Sequence, residues 1–360
     1  MLRIEQGSVM SYWCFDVGNG INLEEAEKIF GKEAEKIFLT YERLTPEYVQ
    51  YKVPPLLVRR GKKEICDKEW FVEIKIYDFG VIIVRLQTNI KGTTTEITKF
   101  LNKSEAELKK KVFSIITKIF NEIKKEIDKP VEDIKKTFSN YTIFFIQKFD
   151  RYWKPQDLLR NFSQDIANLL RYEKKKLSEQ EIKDVLKNPL SYYSDDLTII
   201  DFYSALVYDP AKSYDVLDVL EYAIIELTEL RAYDDMLDEV IAEAYDELTK
   251  KKLLGFSMIE ELSKIKLEIS EIKEKVENFI KLITDSYLGK VYVVASTRFY
   301  LEKWKSSVKE KLDLLETLYT RSWERLQTKR MVVLETAIVV LFIIDIILLL
   351  LEWGVFGKFP

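Results

Sequence analysis

The sequence predicts an α+β chain: a mixed α/β body over residues 1–212, an antiparallel, coiled-coil-like helical hairpin over 213–330, a single transmembrane helix over 331–353 and a short tail over 354–360. Three observations predict it. Strand-like and helix-like hydrophobic periods alternate through the first part of the chain. Heptad spacing takes over after Ser213, and an almost unbroken apolar run follows from Met331 to Trp353. Glycine (11) and proline (8) are scarce among 360 residues, which favours long helices over a loop-rich all-β architecture.

In the body, Ser8 to Val17 is apolar and aromatic and ends at Gly18-Asn19-Gly20, the pattern of a strand closed by a turn. Leu23 to Phe38 reads as a helix. Trp70 to Ile76 and Val81 to Leu86 flank Asp78-Phe79-Gly80 and read as a β-hairpin. Thr95 to Ile127 carries the stripe of a long amphipathic helix. Tyr141 to Phe149 and Leu197 to Tyr208 are strands, separated by helices at Gln156 to Tyr172 and Glu179 to Lys187. Ser178-Glu179-Gln180-Glu181 opens the second of these as a capping box. One or two small sheets with covering helices result.

Beyond Pro210, Ser213 is the N-cap of a helix that reaches Lys250. Its seam runs Val216, Leu220, Ala223, Leu227, Leu230, Asp234, Leu237, Ile241, Ala244, Leu248. Asp234 sits where its neighbours are apolar, and Arg231, three residues back, can pair with it on the same face. A polar seam group of this kind fixes register or partner. Next, Met258, Leu262, Ile265, Ile269, Ile272, Val276, Phe279 and Ile283 keep strict 4-3 spacing. Gly289 reads as the turn, and Leu301, Trp304, Val308, Leu312, Leu315, Tyr319 and Leu326 form the returning arm.

Met331 to Trp353 is apolar on every side and, at 1.5 Å per residue, spans roughly 35 Å, enough for a hydrocarbon core. Lys311, Arg321, Arg325, Lys329 and Arg330 precede it, against Lys358 alone beyond. The positive-inside rule therefore places the body in the cytoplasm and the span in the inner, cytoplasmic membrane. Glu335, Ile338, Phe342, Asp345, Leu349 and Glu352 follow one another at intervals of 3, 4, 3, 4 and 3, so the three acids share a seam. Carboxylates at membrane depth face protein or water. Glu335 and Glu352 lie near the ends, whereas Asp345 lies deep. Self-association through this face is the expected consequence; an ion or proton site at Asp345 is the other reading.

Composition excludes much chemistry. No histidine is present, which removes Ser-His-Asp and Cys-His catalysis, His-ligated zinc, His-ligated haem and Glu-x-x-His di-iron sites. Cys14 and Cys66 stand far apart and form no CxxC pair, which fits a reducing compartment. GxGxxG and GxSxG are absent, and Gly31-Lys32 is no P-loop because Ala26 replaces its first glycine. Met1 to Gln6 does not resemble the start of a signal peptide. The net charge is −4, and the basic runs at Arg59 to Lys63, Lys109 to Lys111, Lys174 to Lys176 and Lys250 to Lys252 are short and mixed with acids. They read as solvated faces, not a nucleic-acid stripe. No catalytic residue, metal or cofactor is expected.

Part of the chain resembles the required-for-meiotic-nuclear-division family of membrane proteins, some of them mitochondrial. Arg330-Met331-Val332-Val333-Leu334-Glu335, Ile338-Val339, Ile344-Asp345 and Leu350-Leu351-Glu352 carry the likeness in the span. Asp196 to Asp201, Leu206 to Asp209, Leu220 to Ala223 and Leu230 to Asp235 carry it upstream, resembling the bacterial branch. It covers residues 190–355 and leaves the first 190 unmatched. The resemblance implies a tether without enzymatic activity. The expected function is accordingly a membrane-anchored, homo-oligomeric scaffold that presents its body to a protein partner. One alternative is a CorA-like ion transport component, although such channels have two spans and a Gly-Met-Asn loop that this chain lacks. Another is a metal-dependent enzyme built on the acids around Asp234 (Glu226, Glu229, Asp235, Asp238, Glu239).

Overall fold

Val9, Trp13 and Phe15 are buried, and so are the alternate Met10, Tyr12 and Cys14; strand β1 (Arg3–Asp16) is therefore covered on both faces. The computed structural model, which describes residues 1–36, 54–249, 267 and 286–356, places β1 inside an eight-stranded sheet. After β1 come β2 (Gly20–Ile21), β3 (Ala34–Lys36), β4 (Leu56–Ile65), β5 (Lys68–Ile76) and β6 (Val81–Thr93). β7 (Ile127–Asp128), β8 (Phe138–Phe149), β9 (Leu197–Ile200) and β10 (Ser204–Tyr208) complete the set. The sheet order is β3-β4-β5-β6-β1-β8-β10-β9, with β2 and β7 paired separately. Every neighbouring pair is antiparallel except β8 and β10.

The sheet has two differently covered faces. Side chains on one face of β1, β5, β6 and β8 join a core with α1 (Leu23–Phe30), α2 (Thr94–Ile123) and α3 (Pro155–Leu170). α2 starts cleanly because Thr93 Oγ1 accepts from the Glu96 amide (3.2 Å) while the Glu96 carboxylate accepts from the Thr93 amide (2.8 Å). α3 and α4 (Glu179–Val185) make the crossover that a parallel β8–β10 pair requires. Ser178 caps α4 by accepting from the Glu181 amide.

Helix α5 (Asp215–Thr249) covers the other face; its Glu221 meets Lys75 and Tyr77 of β5 and the residue after it. From Val216 to Leu230 almost every side chain of α5 is buried, so the heptad seam read in the sequence is one stripe of a helix enclosed all round. Helix α6 (Ser286–Arg298) packs in the same unit, with Tyr292 against Glu226 of α5 and Tyr287 near Thr198 of β9. α7 runs without a break from Leu301 to Phe356.

Three expectations change here. The helix expected over Leu23 to Phe38 ends at Phe30, where Gly31 takes a left-handed φ of 54°, and Ala34–Lys36 is strand β3. Gly289 does not interrupt a helix: it lies inside α6, and the chain breaks after Arg298, where Tyr300 takes a left-handed φ of 57°. Leu197 to Tyr208 is not one strand but two antiparallel ones, β9 and β10. Apart from Leu267, the first arm of the expected hairpin, Met258 to Ile283, falls outside the described residues, as do residues 37 and 38 of the expected first helix. By contact the chain divides into two compact units. Residues 1–233 and 268–306 form one, holding the sheet, and residues 234–267 and 307–360 form the other.

Candidate functional site

The acids of the sequence-predicted seam lie on α7. Within it Met331–Leu351 is long and apolar enough to cross a membrane, and it is the segment among the described residues that passes that test. None of its 18-residue core is buried. Ile338, Phe342 and Leu349 are exposed, with Glu335 and Asp345 on the same face of one continuous helix. Glu352 is on this helix, one interval further; its side chain is outside the described residues. Thr336 returns its hydroxyl to the Val332 carbonyl at 2.7 Å, so this polar side chain is satisfied within the helix itself.

The second expected pair is placed as follows. Asp234 accepts from Ser307 Oγ at 2.6 Å and forms an ion pair with Lys311 at 2.8 Å. The same ammonium reaches Asp238 at 2.6 Å and the Asp234 carbonyl at 3.1 Å. Burial works against the Lys311 charge, but hydrogen bonds to both acids raise its pKa above the usual value. Thus the cation between Asp234 and Asp238 is a lysine 73 residues beyond Asp238, which no local periodicity could identify. Arg231 donates to the Phe138 carbonyl (3.5 Å) and Ser139 Oγ (3.4 Å). Among the described residues no group of three or more His, Cys, Asp or Glu could hold a metal ion.

Sequence reasoning missed a set of buried charges under α5 and α6. Glu221, 3% exposed, takes Lys75 Nζ at 2.7 and 2.9 Å and Tyr77 Oη at 2.5 Å. Arg85 pairs with Glu73 on the same sheet face. Burial would depress the Lys75 charge, yet Glu221 and Asp218 outweigh it and hold the ammonium above its ordinary value. Desolvation pushes the Asp218 carboxyl up to about 6, with the Lys75 ammonium working against it. Asp201, 1% exposed, takes Arg171 at 2.8 Å, with Arg298 of α6 at 3.9 Å. Glu226 takes Tyr292 Oη and Lys305 Nζ, the latter at 3.0 Å.

Glu221, Asp201 and Glu226 are each neutralised by a lysine or arginine and by a hydroxyl or second cation. Held that way they act as clamps that fix α5 and α6 to the sheet, because a paired, hydrogen-bonded carboxylate is neither a free base nor a free nucleophile. One sequence signal could have found them. Glu221, Glu226 and Glu229 interrupt the apolar run from Val216 to Leu230, and acids inside an enclosed helix need partners.

Residues 6–215 match the family described as "Uncharacterized protein MJ0711, N-terminal domain". The matched stretch contains β1 from residue 6 onward, the other nine strands and α1 to α4, and it overlaps the earlier resemblance, residues 190–355, only near β9 and β10. Over 334 residues the chain is 28% identical to uncharacterized protein MJ0711 of Methanocaldococcus jannaschii, covering 90% of this chain and 93% of that protein. No solved structure matches.

Proposed function

We propose that this chain, which belongs to the family of the MJ0711 N-terminal domain, is a non-enzymatic scaffold anchored by one membrane span, self-associating through that span and presenting its α+β body to a protein partner. The observation that carries the proposal is the wholly unburied apolar segment Met331–Leu351. Exposing one large aliphatic side chain to water costs about 1.5–3 kcal/mol relative to burying it, so a run of this length is sustained by lipid, not by water. The basic residues before the span and the single lysine after it support a cytoplasmic body. Asp345 supports the oligomer: deep in the span a carboxylate faces protein or water, and the face it shares with Ile338, Phe342 and Leu349 offers a seam for another copy. The paired state of the buried carboxylates Glu221, Asp201 and Glu226 supports the non-enzymatic part.

The full chain, crosslinked in native membranes and then solubilised, tests the self-association. The proposal expects dimers or larger species, reduced at least tenfold by Asp345→Leu at equal membrane content. A monomer in the parent protein would contradict it. Asp345-dependent ion flux in proteoliposomes would favour the transport alternative. Affinity capture with mass spectrometry addresses the partner; recovery of the chain alone would count against the scaffold.

A further inference from the structure

At one end of the sheet three loops lie side by side, because β8 and β10 finish there in parallel and β9 begins there. Tyr208 of β10 pairs with Ile146 on one side and Leu197 on the other. The loops are residues 150–154 after β8, 209–214 after β10 and 191–196 before β9. Of the seven exposed tyrosines among the described residues, four stand on these loops: Tyr152, 62% exposed, with Tyr192, Tyr193 and Tyr214 about half so. Tyrosine offers large ring area with few rotamers to lose, which is why protein interfaces concentrate it.

One aspartate holds each loop in shape. Asp150 accepts from the Arg151 amide (3.0 Å) and the Trp153 indole (3.2 Å). Asp209 accepts from the amides of Ala211 (2.7 Å) and Ser213 (3.0 Å), and Asp196 from those of Tyr192 (2.8 Å) and Tyr193 (2.9 Å). The rings therefore stand on fixed backbone, so that docking on them orders little that is loose.

The charges decide what covers this surface. The loop after β8 has two cations against one acid (Arg151 and Lys154, Asp150), the middle loop one of each (Lys212, Asp209), and the loop before β9 two acids alone (Asp195 and Asp196). A surface positive at one side and negative at the other complements itself after half a turn, which is the condition for a two-fold contact between identical chains. Lys154 and Asp195 form no ion pair among the described residues, so both can reach a neighbour. We infer that this end of the sheet docks on the same end of a second copy, the Arg151–Lys154 loop of each lying against the Asp195 loop of the other. The inference rests on the proposed pairing of spans, which holds two bodies in one membrane at a high effective concentration and lets a contact of modest size form.

Two differently tagged full chains, coexpressed and then oxidised in isolated membranes, test it. Both carry Cys66→Ser, and Cys14 is buried. One also carries Gln156→Cys and the other Ser194→Cys, exposed positions that spare the tyrosines and the charges. A disulfide joining the two tags is expected, in clear excess over the pairs formed when both chains carry the same introduced thiol. Lys154→Glu in the first chain should lower its yield about fivefold, the scale of one exposed ion pair, and Asp195→Lys in the second should restore it. Absence of the mixed disulfide, or a yield indifferent to both charge changes, overturns the inference. Chains carrying Ile338→Cys, oxidised in parallel, report on the spans: if these link and the loops do not, the loop contact alone falls, and if neither links, the pairing of spans falls with it.

Discussion

Asp218 is the residue with the clearest pH consequence. Its carboxyl is raised to about 6 against an ordinary 3.8, so the folded state holds this proton more tightly than the unfolded one. That contribution to stability is complete below about pH 4 and is lost as pH rises through about 6. Two pKa units correspond to about 3 kcal/mol, and solvent at the partly exposed side chain reduces this to about 1–2. Asp218→Asn should therefore be about 1–2 kcal/mol more stable than the parent at pH 8 and indistinguishable at pH 3.5, measured by denaturant unfolding of the full chain in detergent. A variant less stable at pH 8 would refute the assignment. Glu221→Leu leaves the Lys75 ammonium and the Tyr77 hydroxyl buried without their partner and should cost about 3–5 kcal/mol. Adding Lys75→Met should recover most of that loss. If the double variant is as unstable as the single one, the ion pair is not what holds α5 to β5.

At the scale of elements, two turns lock together where β1 meets the β5–β6 hairpin. Gly80, at φ 91°, lies so close to Gly18 that an added Cβ would stand 1.6 Å from the Gly18 carbonyl oxygen. The Val17 amide also donates to the Gly80 carbonyl at 2.9 Å. Gly80→Ala should cost more than about 3 kcal/mol in denaturant unfolding, combining backbone strain with a clash against backbone. A loss below about 1 kcal/mol would show that these turns separate freely. This hairpin was legible because Asp78-Phe79-Gly80 announces its turn. Its neighbour was not. β4 contains Arg59-Arg60-Gly61-Lys62-Lys63, read as a basic run, and a register shift between Arg59 and Lys62 breaks its alternation. The β4–β5 turn uses Cys66 and Asp67, both left-handed, in place of the glycine or asparagine that marks such turns. The β9–β10 turn hides similarly: Asp201 ends β9 through its ion pair with Arg171, a contact 30 residues away in sequence. α5 differs along its length: over Val216 to Leu230 it is enclosed on every side and contains a heptad stripe by default, whereas beyond it the seam residues Leu237 and Ala244 are the buried ones.

At the scale of the whole molecule, what could be read rests on local signals, and the contacts that escaped the sequence are long-range. Length and continuous apolarity are properties of one segment, so Met331–Leu351 could be read from the residues alone. The alternation of strands and helices likewise announced an α+β body, although not its single eight-stranded sheet. Partners brought together by the fold, such as Lys311 with Asp234 or Lys75 with Glu221, carry no spacing rule. The functional account depends on α7 lying in lipid. Alkaline carbonate extraction of membranes from cells expressing the full chain tests that most directly. The account predicts that the protein stays in the membrane pellet and leaves it only with detergent; release into the supernatant as a dispersed, folded protein would contradict it.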